Sequence, residues 1–185
     1  MGTLTGGPGA VTLPPGDRDA ALDAVRAQLR VETAQDDALI VAFAETALGL
    51  AERYTGRALL LRAMVAEMPA AAGWQLLPVA PVRAITAVAA GRPAAVLAAG
   101  TFAVDIDAAG AGWIRADGVA APLTVTIEAG EAASWAAIPA AIRQGVVLLA
   151  AHLFGDREGR QAPPAAVAAL WRPFRDLKLA ERVRA

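Results

Sequence analysis

Thr33–Leu60, TAQDDALIVAFAETALGLAERYTGRALL, is the longest stretch in which every local signal agrees, and its reading decides the fold. Thr33 with Asp36 has the capping-box form, a hydroxyl for free backbone N–H groups and a carboxylate three residues on. Asp36 and Asp37 place negative charge at the start, and Arg53 and Arg57 place positive charge at the end. Both suit the helix macrodipole. Gly56 stands where a left-handed residue ends a helix. Leu39, Phe43, Ala47, Leu50 and Tyr54 recur at steps of three or four and predict one apolar stripe. Ile40, Ala44 and Ala51 widen it with mostly small residues that admit a close neighbour. This is a helix made for packing, with no chemistry on it.

Before it, Asp17 is read as the cap of a shorter helix, Arg18–Leu29, with Leu22, Val25 and Leu29 on one face. The brief link through Val31 and Glu32 predicts a helical hairpin over 17–58. Further back, residues 1–16 hold five glycines and three prolines, which predicts a mobile arm. A phosphate-binding loop is excluded there, because no GK[ST] follows and no strand precedes.

After Gly56 the period changes. Prolines and glycines punctuate short apolar runs and predict a β-rich segment over 59–130. Its strands are expected at Leu60–Glu67, Trp74–Leu77, Val82–Ala89, Thr101–Asp105, Gly112–Arg115 and Leu123–Glu128. In the last, LTVTIE, Leu123, Val125 and Ile127 alternate with polar partners. Asp105, Asp107 and Asp117 lack the spacing of a calcium loop and read as turn residues. Helix resumes over 138–171. Pro139 opens a segment with Ile138, Ile142, Val146, Leu149 and Leu153 on one face, Gly155 closes it, and a further helix runs from Pro164 to Trp171. Residues 172–185 form a tail. Helices at both ends with strands between them predict an α+β fold: an antiparallel helical core carrying a β-rich insertion.

Composition narrows the function. A length of 185 residues suffices for one domain with its own core. The formal net charge of −1 gives no general attraction to nucleic acid or anionic membrane. No cysteine and one histidine exclude thiolate and multi-imidazole metal sites. No cofactor is expected. No stretch is long and apolar enough to predict a membrane span, and no secretory signal is read, so cytoplasmic synthesis is expected. His152 is the only imidazole in the chain, but no nucleophile or paired carboxylate stands beside it in a known spacing. It reads as structural, and no catalytic residue is assigned. Asp156, Arg157 and Glu158 read as a solvated loop or as partners of a neighbouring subunit. Trp171 and Phe174 beside Arg172 and Arg175 combine the residue types that anchor protein interfaces. They equally suit closure of the chain's own core.

The order of these segments resembles the head–tail connector (adaptor) proteins of long-tailed bacteriophages and gene transfer agents. The likeness covers about Leu13 to Leu179. It rests on LRVETAQDDALIVAFAETALGLAERYTGRAL (29–59), LLPVAPVRAITAV (76–88), TFAVDID (101–107), LTVTIEAG (123–130), IPAAIRQGVVLLAAHLFGDREG (138–159) and VAALWRPFR (167–175). Each piece alone is weak, and six in one order are specific. Phe102 and Phe154 stand where the family commonly has tyrosine. Gly145 interrupts a helix at a cost of about 1 kcal/mol relative to alanine.

The resemblance implies a non-enzymatic virion protein that forms a closed ring of about twelve subunits. The ring would bind the portal, extend the channel for double-stranded DNA without specific binding, and receive a stopper or tail protein at the head–tail junction. It implies portal docking by Trp171, Arg172, Phe174, Arg175, Leu177, Lys178, Leu179 and Arg182. Arg53, Arg57, Asp156, Arg157 and Glu158 are expected at subunit contacts. The alternatives are a stopper or tail-completion protein and, from another class, a small hydrolase or ligand-binding domain using His152.

Overall fold

A computed structural model describes residues 3–176. The chain forms two compact units, and the backbone passes between them repeatedly. One unit comprises residues 3–7 with Arg57–Glu131, and the other Pro8–Gly56 with Ala132–Asp176. The fold is α+β, as expected.

The second unit is helical: α1 (Pro15–Leu29), α2 (Asp37–Thr55), α3 (Ala140–Gly155) and α4 (Ala165–Trp171). α1, α2 and α3 pack on one another, and α4 packs on α3. α2 starts three residues later than the capping box predicted. Asp36 is the cap residue and makes no side-chain cap bond. Residues 30–36 are needed to turn the chain, and the Asp37 carboxylate is held by Arg26 at 2.5 Å instead. The other end is as expected: Gly56 is left-handed at φ 74°, and its N–H donates to the Glu52 carbonyl at 2.9 Å.

The apolar stripe of α2 is rotated from the expected one. Ile40, Ala44, Ala47, Leu48 and Ala51 are the buried side chains, whereas Leu50 is 42% exposed and Leu39, Phe43 and Tyr54 are half-buried. Area alone favours burying the larger side chains, but the small ones admit the closest neighbours, and closeness decided the face.

One of those neighbours is the N-terminal segment, which corrects the expected mobile arm. A Cβ on Gly49 would lie 2.8 Å from the Gly9 carbonyl oxygen, so α2 meets bare backbone there. Two carboxylates of α2 fix the contact, Glu52 accepting from the Gly9 N–H at 3.2 Å and Glu45 from the Leu13 N–H at 2.9 Å. Leu13 is buried. Glycine and proline richness signalled tight packing in this segment, because small residues that leave backbone uncovered also let it approach closely.

α3 begins one residue after Pro139 and buries Ile142, Val146 and Leu149; Ile138, just ahead of it, is buried too. Gly145 is no defect, since a Cβ there would run into the Trp171 indole. That indole nitrogen donates to the Ile142 carbonyl at 3.2 Å. Asp17 does not cap α1, which begins at Pro15; its carboxylate accepts from the Trp135 N–H at 2.9 Å.

The first unit is an antiparallel five-stranded sheet beside a three-stranded one. The larger has the order β1 (Thr3–Thr5), β2 (Arg62–Met68), β8 (Leu123–Ala129), β4 (Val82–Ala90), β5 (Ala95–Val96). The smaller has β3 (Gln75–Leu76), β7 (Gly112–Arg115), β6 (Ala103–Ile106). β8, the segment of clearest alternation, lies at the centre. Ile127 is flanked by Met64 and Ile85, and Val125 by Ala66 and Val88. Such cross-strand pairs are what stabilise a sheet. Two strands, β1 and β5, are too short to leave a periodic signal.

Arg62 ties β1 to this sheet. Its guanidinium donates to the Gly6, Gly7 and Leu60 carbonyls at 2.9 to 3.0 Å. Arg62→Ala is expected to speed amide exchange at Leu4–Gly7 by about ten-fold while leaving β8 protected; unchanged exchange would show that the ladder alone holds β1. Gly145→Ala gains helix propensity but displaces Trp171, for a net loss of about 1–2 kcal/mol in urea unfolding. Equal or higher stability would refute the packing account.

Candidate functional site

The candidate docking residues begin at the end of α4, and the structure separates them by role. Trp171 is 4% exposed and closes the core of its own unit. Besides its hydrogen bond to Ile142 and its seat on Gly145, its ring meets Tyr54 at a centroid distance of 5.8 Å. The Tyr54 hydroxyl donates to the Ala168 carbonyl at 3.4 Å. Trp171 is therefore an anchor of the fold, and its side chain offers no free surface. Of the two readings the sequence left open for it, core closure is the one seen.

Past Trp171 the chain makes a 3-10 turn, Arg172–Phe174, and runs back along the C-terminal end of α2. Arg175 lies over the Tyr54 ring at 5.8 Å, a cation–π contact, and the Asp176 N–H donates to the Thr55 carbonyl at 2.8 Å. That carbonyl is one of those a helix end leaves without an internal partner. Thr55 is buried, its hydroxyl donating back to the Ala51 carbonyl at 2.8 Å. Arg172 and Arg175 are exposed and Phe174 is half-buried. Leu177, Lys178, Leu179 and Arg182 lie outside the described residues. What the structure supplies is a fixed root from which the remaining tail continues. Tyr54 is the residue that sequence reasoning missed here. As the only tyrosine, at the last turn of a helix beside YTGR, it carried the signal, but it was read as one more member of an apolar stripe.

The five candidate subunit contacts are scattered. Asp156 staples its own loop, accepting from the Gln161 N–H at 2.6 Å and the Arg160 N–H at 3.1 Å. Arg157 pairs with Asp36 at 3.5 Å and lies over the Phe154 ring at 4.7 Å. Glu158 pairs with Arg160. Arg53 is exposed beside Gly9, and Arg57 pairs with Glu131 at 3.6 Å. Asp156, Arg157 and Glu158 thus each have an intramolecular partner.

His152 is half-buried, with Nε2 3.3 Å from the Gln161 carbonyl of the same loop. That contact helps hold the loop to α3. The aspartates considered for calcium shape turns. Asp107 accepts from the Ala109 and Ala111 N–H groups at 2.9 Å, and Asp117 from the Gly73 N–H at 3.0 Å. Among the described residues no group of three acidic, histidine or cysteine side chains gathers as a metal site. No described helix is long and apolar enough to cross a membrane.

No family model and no curated protein matches the chain. Solved structures do. A chain in the neck of an empty gene transfer agent particle, computed with C6 symmetry, matches at TM-score 0.69 and 27% identity, covering 97% of both chains. One in the virion of a native gene transfer agent particle matches at 0.69 and 25% identity, again over 97% of both. A third, in the neck of a native particle computed with C12 symmetry, matches at 0.66 and 29% identity over 92% of this chain and 95% of the other. The resemblance to head–tail connector proteins holds. It extends over both units of this connector-like chain, since coverage is nearly complete in each direction.

The backbone N–H of Gln161 holds the Asp156 carboxyl below the usual aspartate range, with help from Arg160 and the nearby His152, against the opposing effect of burial. A lowered folded-state pKa stabilises the loop above the ordinary aspartate value and ceases to do so as pH falls through the lowered one. An NMR titration is expected to show Asp156 protonating below ordinary aspartate, with Gln161 and Arg160 amide protection lost in the same step. A normal midpoint would show that the staple is absent in solution.

Proposed function

We propose that this chain is a structural component of a particle neck, a subunit of a ring that joins a portal to a tail. The end-to-end match to chains in gene transfer agent particles, at 25–29% identity, carries the proposal. Ring formation is supported by the C6 and C12 symmetry of the matched necks. A ring of about twelve copies would enclose a channel for double-stranded DNA. The formal net charge of −1 suits a channel wall that DNA passes without being held. In this reading the two units together make one connector subunit, made in a bacterial cytoplasm and placed at the head–tail junction of a gene transfer agent or phage.

Portal docking is assigned to residues 177–185, with exposed Arg172 and Arg175 and half-buried Phe174 at their root. The anchoring of Trp171, Arg175 and Asp176 on α2 supports this division, because a tail grips a partner only if its own base is fixed. A terminal segment repeated around a ring multiplies a modest individual affinity. The face away from the portal is assigned to a stopper or tail protein.

Native mass spectrometry of the full chain with portal protein is expected to show a complex that disappears when residues 177–185 are removed. The truncated chain should keep its unfolding free energy within about 0.5 kcal/mol, since the Trp171 seat is untouched. A surviving complex would overturn the docking assignment. Cross-links in assembled particles to the ring beyond the portal's own neighbour, and none to portal, would make the chain a stopper instead.

A further inference from the structure

In the sheet unit, two edge strands leave large apolar side chains in solvent. Val96 on β5 is 78% exposed, and Val104 and Ile106 on β6 are 42% and 36% exposed. The only other large apolar side chains so exposed among the described residues are Leu50 and Leu61. Three of these five side chains thus fall within residues 96–106, and two of them lie on β6.

Register shows that β6 continues the core. Val104 stands opposite Ile114 on β7, and cross-strand partners share a face. Ile114 is fully buried in this unit's core. Ile106, two residues on from Val104, lies on that same face. The apolar row thus runs out of the core and stops uncovered at the sheet's edge. Among the described strands β6 pairs only with β7. Edges left open in a free protein are usually guarded by lysine, proline or a bulge. β6 reads AVDI, and its single charge, Asp105, belongs to the other face. Ile106 also borders an open groove of about 400 Å³ walled by Arg57, Arg83, Asp107 and Glu131. There Arg57 pairs with Glu131 at 3.6 Å, and Arg83 donates to the Gly130 and Glu131 carbonyls at 3.1 and 3.0 Å.

We propose that the rim formed by Val104 and Ile106 of β6 with the Arg57–Arg83 groove is covered by a second copy of this chain and forms one face of the subunit contact. The inference rests on the ring reading above. A closed ring is built from head-to-tail contacts in which each copy offers one face to one neighbour and a different face to the other. The rim has the layout of such a face, an apolar centre bordered by polar and charged groups. Its charges decide against DNA as the occupant. Two arginines face two carboxylates, whereas phosphate binding requires a surplus of positive charge. A protein surface of near-zero net charge, such as another copy of this chain, fits that balance.

The chain has no cysteine, so Val104→Cys and Ile106→Cys each create a single thiol in the full-length protein. Maleimide labelling of both thiols is expected to slow by about ten-fold or more in the assembled ring relative to the free chain. Ile106→Lys is expected to leave the thermal midpoint unchanged and to hold the protein as a monomer. A ring whose thiols label as fast as those of the free chain would overturn the rim while leaving the ring standing. Protection that appears only when a further neck protein is added would assign the rim to that protein and end the proposal. If no ring forms with or without portal protein, the ring reading fails, and this inference fails with it.

Discussion

The close approach of bare backbone to the small-residue face of α2 is the constraint on which the helical unit depends. Gly9 lies against Gly49, and a side chain on Gly49 would have no room. From that contact follow the burial of Leu13 and the placement of Glu45 and Glu52 as acceptors for backbone N–H groups that the segment's own strand and turns do not use. α3 repeats the device, with Gly145 giving up its Cβ so that Trp171 can lie flat on the helix and bond to Ile142. An alanine-rich chain with few aromatics builds its core by closeness rather than by bulk. Each of its few large rings consequently carries much of the packing around it.

The sequence made the fold class legible, and the reason is visible in particular residues. β8 stood out because Leu123, Val125 and Ile127 alternate without interruption, and it proved to be the central strand. Gly56 announced the end of α2 by a conformation that favours glycine. The failures share a cause too. The Thr33 capping box was a local signal overruled by the ion pair between Asp37 and Arg26. The N-terminal segment looked disordered because composition measures how much a chain can bury, whereas Gly9 contributes by how little space it fills. The face of α2 was misjudged because periodicity ranks side chains by size, and the neighbours were chosen by fit.

At the candidate site, legibility was partial for a different reason. WRPFR suits an exposed anchor and closure of the chain's own core equally, because tryptophan and arginine are residues that partners grip and a tryptophan is also a large apolar group to bury. Whether an aromatic ring grips a partner or its own core depends on a second element distant in sequence, here Tyr54 and Gly145. Val104 and Ile106 illustrate the same dependence. The sequence marks a strand there, and only the position of β6 at the edge of its sheet shows that, among the described residues, this face is left to solvent. In both places the element is legible locally and the side that meets solvent is not.

The interleaving of the two units also sets an order on biosynthesis. The sheet unit's strands run from Thr3 to Ala129, so its ladder can close while the ribosome is still making the later helices. The helical unit is split around it and lacks α3 and α4 until residues 140–171 have emerged. Its final bond, from Asp176 to Thr55, joins the last described residue to a helix made more than a hundred residues earlier. A chain released before that point would carry a finished sheet and an open helical core, the kind of half-built product that quality control recognises by its exposed apolar surface.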